Sequence, residues 1–284
     1  MPAGRRWILA ALCGGGLACA GPAARVTPGV SWTLAQERHA SVSGLSYDLA
    51  FTIPAASDRA IVGTATIALT VAPGASPLVL DFVDAEHRAH AVTVDGKPVP
   101  YRAAFDHIVL ERDRLPAGSH RIGVTFTAGD GSLNRNPDFL YTLFVPSRAH
   151  VAFPCFDQPN LKAHFTLTLD VPADWVAVAN GAITSRTASG GHAVYRFAET
   201  RPIPTYLFAF ATGKFFVDSA VRSGRTFHMY HRETDAAKVA RNRDAIFDLH
   251  AAALKWLEDY TGIKYPFGKF DFVLIPSFQF GGME

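Results

Sequence analysis

Cysteine is scarce in this sequence, and two of its three copies fall within the first 20 residues. Cys13 and Cys19 lie in an apolar N-terminal run, so removal of that run would leave Cys155 as a single thiol. A single cysteine forms no internal disulfide, and a chain of 284 residues is long enough to build a core without one. We therefore interpret Cys155 as a small buried apolar residue rather than a catalytic nucleophile.

Motifs that mark a self-contained catalytic centre are also missing. The sequence has no HExxH or CxxC motif for zinc, no GxSxG motif for a serine nucleophile and no glycine-rich phosphate loop. Eleven histidines are present, and two pairs stand three residues apart, His87 with His90 and His228 with His231. On a strand this spacing sends the two side chains to opposite faces, so neither pair is predicted to bind a metal.

Charge of one sign is not concentrated anywhere in the chain. The 27 lysines and arginines oppose 25 aspartates and glutamates, and the basic residues are scattered. A nucleic-acid partner would require a basic stripe or patch, so none is predicted. With 49% hydrophobic and 18% charged residues the chain is globular, and its length allows one large domain or two smaller ones.

The first 20 residues form a separate targeting segment. Arg5 and Arg6 precede an uncharged apolar run that ends in the small-residue site Ala18-Cys19-Ala20. This order is typical of a secretory signal peptide, and the run is too short for a stable transmembrane anchor. We expect residues 1–20 to direct export to the periplasm or the extracellular space; a lipid-modified Cys19 and an uncleaved anchor are the alternatives. Residues 21–40 are expected to form an irregular lead-in.

From Leu45 onward, short β-branched and alternating segments predict a series of strands. Glycine and proline turns separate them, and Asp95-Gly96 is a strong two-residue hairpin signal. The pattern predicts a mainly β protein, with a β-sandwich or a saddle-shaped sheet as the N-terminal domain over residues 41–231. The predicted strands cover residues 47–53, 61–71, 78–83, 92–94, 97–101, 108–110, 121–127, 163–171, 193–198 and 206–216.

The pattern changes at residue 232, where we expect a second domain of mixed α/β character to begin. A run without glycine or proline extends from Asp235 to Thr261 and predicts an amphipathic helix, capped by Thr234 or Asp235 and ended by Gly262. A strand over residues 269–275 follows. The expected buried face of the helix carries Val239, Ile246, Ala253, Leu257 and Tyr260, with Phe247 and Leu254 beside it.

Two stretches have an unusual composition. In residues 152–163, AFPCFDQPNLKA, two prolines bracket aromatic residues and one carboxylate, which favours a rigid, aromatic-packed corner over a catalytic site. The second stretch, residues 280–284, is FGGME. Its glycines can let another backbone approach closely, and Glu284 could then meet a cation. A loop with a surface glutamate is the alternative that the residues alone favour.

Together these two stretches resemble a known family. Residues 153–163, FPCFDQPNLKA, and residues 265–284, YPFGKFDFVLIPSFQFGGME, are similar to the signature corner and to the approach to the Gly-x-Met-Glu-Asn motif of the aminopeptidase N family of zinc metallopeptidases. The resemblance implies a saddle-like β domain packed on a thermolysin-like α/β catalytic domain, of which residues 232–284 would be the truncated start. It also implies that Gly281, Gly282 and Met283 line a peptide substrate. Glu284 would bind the free α-amino group, a charge-assisted contact that makes such an enzyme an exopeptidase.

The zinc motif of that family lies downstream of the glycine motif, and this sequence has no HExxH. The resemblance therefore implies Zn²⁺ in a full-length protein, where it activates water beside a glutamate general base. The present chain would supply no catalytic residue and would be inactive by itself. Its partners would be peptides with a free N-terminus.

One departure from the family concerns the substrate's amino group. Members usually carry a glutamine or glutamate shortly before the corner, and residues 139–152, FLYTLFVPSRAHVA, contain neither. Val145 or Phe144 stands at the expected place, so the second amino-group anchor is lost or comes from elsewhere, and the preferred first residue stays open. Tyr141 and Phe144 either line an apolar pocket or belong to the core.

Two other functions stay open. The chain could be a non-catalytic β-sandwich binding module derived from the same family, or a member with added epoxide hydrolase activity. The reading frame beyond Glu284 separates these hypotheses, because an asparagine followed by HExxH favours an enzyme and a stop favours the module. We also expect the isolated chain to self-associate unless it is shortened near residue 231, since an exposed helix face and an open strand edge favour aggregation.

Overall fold

The computed structural model describes residues 26–276 and residue 278. Its helices are α1 (Trp32–Ser41), α2 (Ala85–Arg88), α3 (Ala149–Ala152) and α4 (Ala236–Thr261). Its strands are β1 (Val42–Thr52), β2 (Val62–Val71), β3 (Leu78–Asp81), β4 (Ala89–Val94), β5 (Lys97–Pro98), β6 (Arg102–Ala104), β7 (His107–Leu110), β8 (Gly118–Thr127), β9 (Phe139–Tyr141), β10 (His164–Pro172), β11 (Val176–Ala179), β12 (Ile183–Ser189), β13 (His192–Phe197), β14 (Phe210–Gly213), β15 (Phe216–Arg222), β16 (Arg225–His231) and β17 (Phe270–Val273).

A large sheet forms the first layer of the fold. Its eight strands pair in the order β12-β13-β10-β1-β2-β8-β4-β5, and β1 runs parallel to β10 while the other neighbours are antiparallel. Alternate residues of β1, namely Tyr47, Leu49 and Phe51, are buried. This alternation is the mark of a strand with one face on the core.

Two smaller sheets, β3-β7-β6 and β11-β14-β9, pack on the large sheet and share one hydrophobic core with it. The ring of Phe51 on the large sheet lies 5.4 Å from that of Phe210 on β14, and Phe82 after β3 lies 5.6 Å from Phe126 on β8. Sheets packed face to face through a common core form a sandwich. The predicted mainly β, sandwich-type N-terminal domain is therefore confirmed.

The predicted hairpin at Asp95-Gly96 is also confirmed. Both residues have positive φ, 51° and 77°, and they join β4 to β5 with Val94 opposite Lys97. Two consecutive positive φ values are those of a type I′ turn, which suits the twist of a hairpin and favours Asp-Gly.

A third small sheet and the long helix α4 follow the sandwich. The strands of this sheet are ordered β15-β16-β17. Strands β16 and β17 are paired in parallel, and α4 connects them in the chain. Asp235 caps the helix by accepting from the Lys238 amide, and Gly262 ends it at φ 66°. The predicted helix and its caps are confirmed. The boundary predicted between residues 231 and 232 stays a prediction.

The expectation of an irregular lead-in is wrong for part of its length. Residues 32–41 form α1, and the Ser31 hydroxyl accepts from the Leu34 amide as an N-cap. No apolar periodicity marks this helix, because it buries a charged residue, Arg38, instead of an apolar stripe. Long-range contacts of that side chain hold the helix in place.

The buried face of α4 also differs from the expected one. Its buried residues are Phe247 and Leu254, which pack with Phe227 and Met229 of β16. On the expected face Val239 and Ile246 are half-buried, whereas Ala253, Leu257 and Tyr260 are exposed. The helix packs against aromatic side chains of β16 and β17. This tertiary packing determines which of two adjacent apolar stripes of the helix is buried. The strand expected over residues 206–216 is split as well: Thr205–Leu207 form a 3-10 turn before β14.

Candidate functional site

The described residue nearest in sequence to the predicted substrate-binding residues is Phe278, which contacts the small sheet. Its ring meets the ring of Tyr141 on β9 at 60°, with centroids 5.7 Å apart. Tyr141 stacks on Phe139, 6.4 Å away, because alternate residues of a strand share a face. Tyr141 is partly exposed, and burial of the remainder raises the pKa of its hydroxyl. Strand β9 thus presents an aromatic surface, Phe139 and Tyr141, to the last described segment.

Beneath this surface, a small apolar cluster joins the sheet β11-β14-β9 to the sheet β15-β16-β17. Ala211 of β14 and Phe215 pack with Tyr230 of β16, and Val273 and Ile275 lie against them. Burial, followed by the charge of a nearby aspartate, raises the pKa of Tyr230 to about 12, so its hydroxyl stays neutral. The cluster fixes β17 against the sandwich, and the aromatic surface of β9 lies beside the end of that strand.

The predicted substrate-binding residues Gly281, Gly282, Met283 and Glu284 lie outside the described residues. Their role stays a prediction. The predicted signal peptide, with Cys13 and Cys19, also lies outside this range.

The structure separates the two alternatives for Tyr141 and Phe144. Phe144 is 1% exposed and belongs to the core, where its ring stacks on that of Phe208 at 6.3 Å. Val145 is half-buried and carries no group that could bind an ammonium. Of the two aromatic candidates, Tyr141 alone therefore presents part of its ring at the surface.

A groove of about 560 Å³ opens between α4 and the strands β16 and β17. Apolar residues such as Met229 and Ile246 line it, together with charged residues at its rim. Those charges have partners: Lys238 pairs with Glu233, and the Arg243 guanidinium lies 3.0 Å from the Asp218 carboxylate. The groove thus combines an apolar floor with a rim whose charges are neutralised locally.

The predicted rigid corner, residues 153–163, is confirmed as an aromatic-packed element. Phe153 is fully buried, and its ring meets those of Phe144 and Phe208 edge-on, each at 5.7 Å. Cys155 is buried as well, and burial raises the pKa of its thiol well above the usual value. A neutral thiol in an apolar core is inert, which agrees with the structural interpretation of this residue.

A buried ion pair ties α1 to the corner. The Arg38 guanidinium donates to both carboxylate oxygens of Asp81 at 2.9 and 2.5 Å, and the Asp157 amide donates to the same carboxylate at 2.8 Å. Burial by itself would raise the pKa of Asp81, but the hydrogen bond from His107 and the charge of Arg38 outweigh it and lower that pKa. The carboxylate therefore stays ionised in the interior.

Asp157 is the second buried carboxylate of the corner. One oxygen accepts from the Thr205 hydroxyl at 2.6 Å, and the other lies 2.6 Å from His150 Nδ1 and accepts from the His150 amide at 3.2 Å. Burial alone would lower the pKa of His150; the hydrogen bond to Asp157 and the surrounding carboxylates outweigh it and raise that pKa. Asp157 thus joins α3, seven residues away in sequence, to the 3-10 turn at Thr205, which is 48 residues away.

Sequence reasoning did not find Arg38 or the partners of Asp157. Arg38 lies in the stretch expected to be irregular, and its partner Asp81 is 43 residues away. The carboxylate of Asp157, which lies between two prolines and among aromatic residues, could have indicated such partners, because a buried carboxylate requires hydrogen-bond donors around it.

The histidine pairs do not converge on a common site. His228 pairs with Asp271 at 2.8 Å, while His231 on the opposite face of β16 pairs with Asp218 at 2.9 Å. Among residues 26–276 and 278, no group of three or more histidine, cysteine, aspartate or glutamate side chains could hold a metal ion. The donor sets of this part of the chain do not fit a zinc site.

Comparison with known proteins agrees with the β-sandwich fold of the first part of the chain. The sequence profile of the Peptidase M1 N-terminal domain matches residues 43–207. This chain belongs to the M1 peptidase family. The M1 N-terminal domain thus covers β1 to the 3-10 turn before β14, including the corner, Tyr141 and Asp157.

Several curated M1 relatives share this region. The chain is 29% identical over 269 residues to Aminopeptidase M1-B of Oryza sativa subsp. japonica, which covers 85% of the chain and 29% of the relative. It is 34% identical over 146 residues to Aminopeptidase M1 of Arabidopsis thaliana, which covers 50% of the chain and 16% of that protein. The chain thus spans less than a third of the length of these M1 relatives.

A solved M1 structure shows the same fold. The M1 zinc metallopeptidase from Deinococcus radiodurans superposes with a TM-score of 0.66 at 21% identity, over 84% of this chain and 58% of that one. None of the helices in the described part of the chain is long and apolar enough to cross a membrane.

Proposed function

We propose that this chain is the N-terminal part of a zinc aminopeptidase that removes residues from the free N-terminus of peptides. The observation that carries the proposal is the match of residues 43–207 to the M1 N-terminal domain. The aminopeptidases of Oryza sativa and Arabidopsis thaliana described above are each more than three times as long as the region in which they match this chain. The Phe-Gly-Gly-Met-Glu end of the sequence resembles the family's substrate-binding motif and supports an exopeptidase.

In this proposal Glu284 pairs with the α-ammonium group of the substrate. A charge-assisted contact of that kind exists only at a chain end, so it selects the first residue of a peptide. Gly281, Gly282 and Met283 would lie along the substrate backbone. The aromatic surface of Phe139 and Tyr141 contacts Phe278, three residues before Gly281, so it is the described surface best placed to contact the first side chain.

Zinc belongs to the proposed full-length enzyme. Because the described residues do not fit a zinc site, the ligands would come from a part of the protein that follows Glu284. The 284-residue chain is accordingly proposed to have no peptidase activity by itself.

The test compares the 284-residue chain with the protein expressed from the complete reading frame. Both are assayed with leucyl- and phenylalanyl-arylamides, before and after a chelator. The proposal expects chelator-sensitive turnover by the longer protein and none by the chain. A stop codon directly after Glu284, or turnover by the chain alone, would contradict it.

We further propose export to the periplasm or extracellular space, supported by the basic, apolar and small-residue order of residues 1–20. N-terminal sequencing of the protein secreted by a bacterial host tests this proposal. A mature N-terminus at Gly21 is expected; retention in the cytoplasm with Met1 intact would contradict it.

A further inference from the structure

Asp157 connects α3, which follows β9 in the chain, to the 3-10 turn that precedes β14. Its carboxylate holds His150 in α3 and Thr205 in the 3-10 turn, and its carbonyl accepts from the Ser147 hydroxyl at 3.3 Å. Asp157 is 4% exposed and Thr205 is 2% exposed, so these bonds form in the interior. Hydrogen bonds to a buried charge are strong, and their geometry is correspondingly well defined.

Each of those segments leads directly to one strand of the small sheet. Residues 142–148 join β9 to α3, and residues 208–209 join the 3-10 turn to β14. The two strands are hydrogen bonded with Ala211 opposite Tyr141. Thr142 extends the pairing, since its amide donates to the Phe210 carbonyl at 3.0 Å and its hydroxyl accepts from the Phe210 amide at 3.0 Å. One carboxylate therefore links the two chain segments that meet at the Tyr141 end of this antiparallel strand pair.

Stability alone does not explain a charge at this position. Burial of a carboxylate is costly, and replacing a buried ionic group by well-packed apolar residues is often neutral or stabilising. The Asp157 amide also donates to Asp81, so a second buried carboxylate stands beside the first. The carboxylate forms directional hydrogen bonds to two separate segments, and an apolar side chain would form none.

We propose that Asp157 is a positioning residue: it fixes β9 against β14 and so sets the place of the Tyr141 ring, against which the first side chain of the peptide substrate packs. Asp157 touches no substrate in this scheme and acts through Tyr141. The assignment of a substrate to this surface rests on the proposed function; the fixing of Tyr141 by Asp157 does not.

The variant Asp157→Asn tests the proposal because it keeps the shape of the side chain. Its amide oxygen can still accept from Thr205, but its NH₂ group cannot accept from His150. Thr205→Val removes the hydrogen bond that the Thr205 hydroxyl donates to the Asp157 carboxylate. This variant is used as the test if Asp157→Asn does not fold. Asp170→Asn is the matched control, since Asp170 also pairs with a histidine, His192 at 3.0 Å, but lies on β10 of the large sheet.

The first readout is the ring signal of Tyr141 in a ¹H–¹³C NMR spectrum of the 284-residue chain, assigned with Tyr141→Phe. We expect the signal to shift or broaden in Asp157→Asn and in Thr205→Val, and to stay in place in Asp170→Asn. A folded Asp157→Asn chain with an unchanged Tyr141 signal would overturn the proposal. If that variant does not fold, an unchanged signal in Thr205→Val would overturn it.

The second readout is the kinetics of the longer enzyme on phenylalanyl-arylamide. Displacement of the Tyr141 ring, which contacts the substrate in this proposal, should raise KM roughly tenfold. The kcat should stay within about twofold of the wild-type value. Unchanged KM in a less stable variant would show a purely structural role and contradict the proposal. If the wild-type enzyme hydrolyses no arylamide, the proposed function fails, while the Tyr141 signal still decides whether Asp157 fixes the ring.

Discussion

The β-sandwich and the unit of α4 with β15–β17 distribute their side chains in opposite ways. In the sandwich, charged groups such as Arg38, Asp81 and Asp157 are buried and bonded to one another or to the backbone. In the second unit, large apolar side chains are exposed instead: Trp256 is 60% and Tyr260 76% exposed, and their rings stack at 5.0 Å on the helix surface.

This difference shows where each unit obtains its stability. The sandwich draws on a large core that this chain completes itself, and that core offsets the cost of burying charge. The described part of the second unit buries a small cluster around Phe247, and Tyr230 packs on the sandwich. The exposed apolar face of α4 is of the kind that marks an interface. In the proposed enzyme this face is expected to pack on the remainder of the catalytic domain.

The largest expected effect comes from the ion pair that ties α1 to the sandwich. Asp81→Ala leaves the Arg38 guanidinium buried without its carboxylate, which should lower the free energy of unfolding by about 3–5 kcal/mol. Urea unfolding followed by far-UV circular dichroism measures the loss. Asp170→Ala on the sheet surface is the control and should change it by less than about 0.5 kcal/mol. A loss below about 1 kcal/mol for Asp81→Ala would mean that the ion pair does not support the fold.

The two faces of α4 provide the next comparison. Phe247 is fully buried and Leu249 is 69% exposed, although they lie two residues apart. Phe247→Ala should lower the free energy of unfolding by about 3 kcal/mol, since it leaves a cavity in the small core, whereas Leu249→Ala should lie within about 0.5 kcal/mol of wild type. Equal losses for the two variants would contradict the observed orientation of the helix.

A smaller effect concerns self-association through the exposed face. Replacing Trp256 and Tyr260 together by serine should reduce association of the 284-residue chain without loss of the fold. Sedimentation velocity at several concentrations measures the change, with Phe105→Ser as a control for an exposed aromatic elsewhere. A wild-type chain that sediments as a monomer at all concentrations would sink this expectation.

The smallest expected effect is a pH dependence that comes from His150. Its pKa is raised in the fold, so the charged imidazole contributes stability that is fully present below the unfolded pKa of about 6.5 and is lost as the pH rises through the higher folded value. The free energy of unfolding of wild type should therefore fall, as the pH rises above about 6.5, by a component that His150→Gln lacks. Parallel pH profiles for the two proteins would rule out this contribution.

Features set by neighbouring residues could be predicted from the sequence. The hairpin at Asp95-Gly96, the limits of α4 and the aromatic corner all follow from local turn, cap and packing rules, and the structure contains each of them. The family resemblance came from two such local stretches. The strand pattern predicted the mainly β fold class, and the resemblance supplied the proposed function.

Features set by distant residues could not be predicted. The helix α1 depends on a bond between Arg38 and Asp81, and no local pattern indicates a buried arginine. The orientation of α4 depends on the aromatic side chains of β16 and β17, which select one of two adjacent stripes. The contact between Tyr141 and Phe278 likewise joins residues that are far apart in sequence, so only the assembled sheets bring it about.

The central claim is that this chain supplies the recognition of the substrate's amino group, and Glu284→Gln in the longer enzyme tests it most directly. Loss of a charge-assisted bond worth about 1.5–3 kcal/mol predicts a fall in kcat/KM of about 10- to 100-fold on aminoacyl-arylamides. Glu233→Gln, which removes a carboxylate paired with Lys238, should leave kcat/KM unchanged. An unchanged kcat/KM in Glu284→Gln would contradict the account.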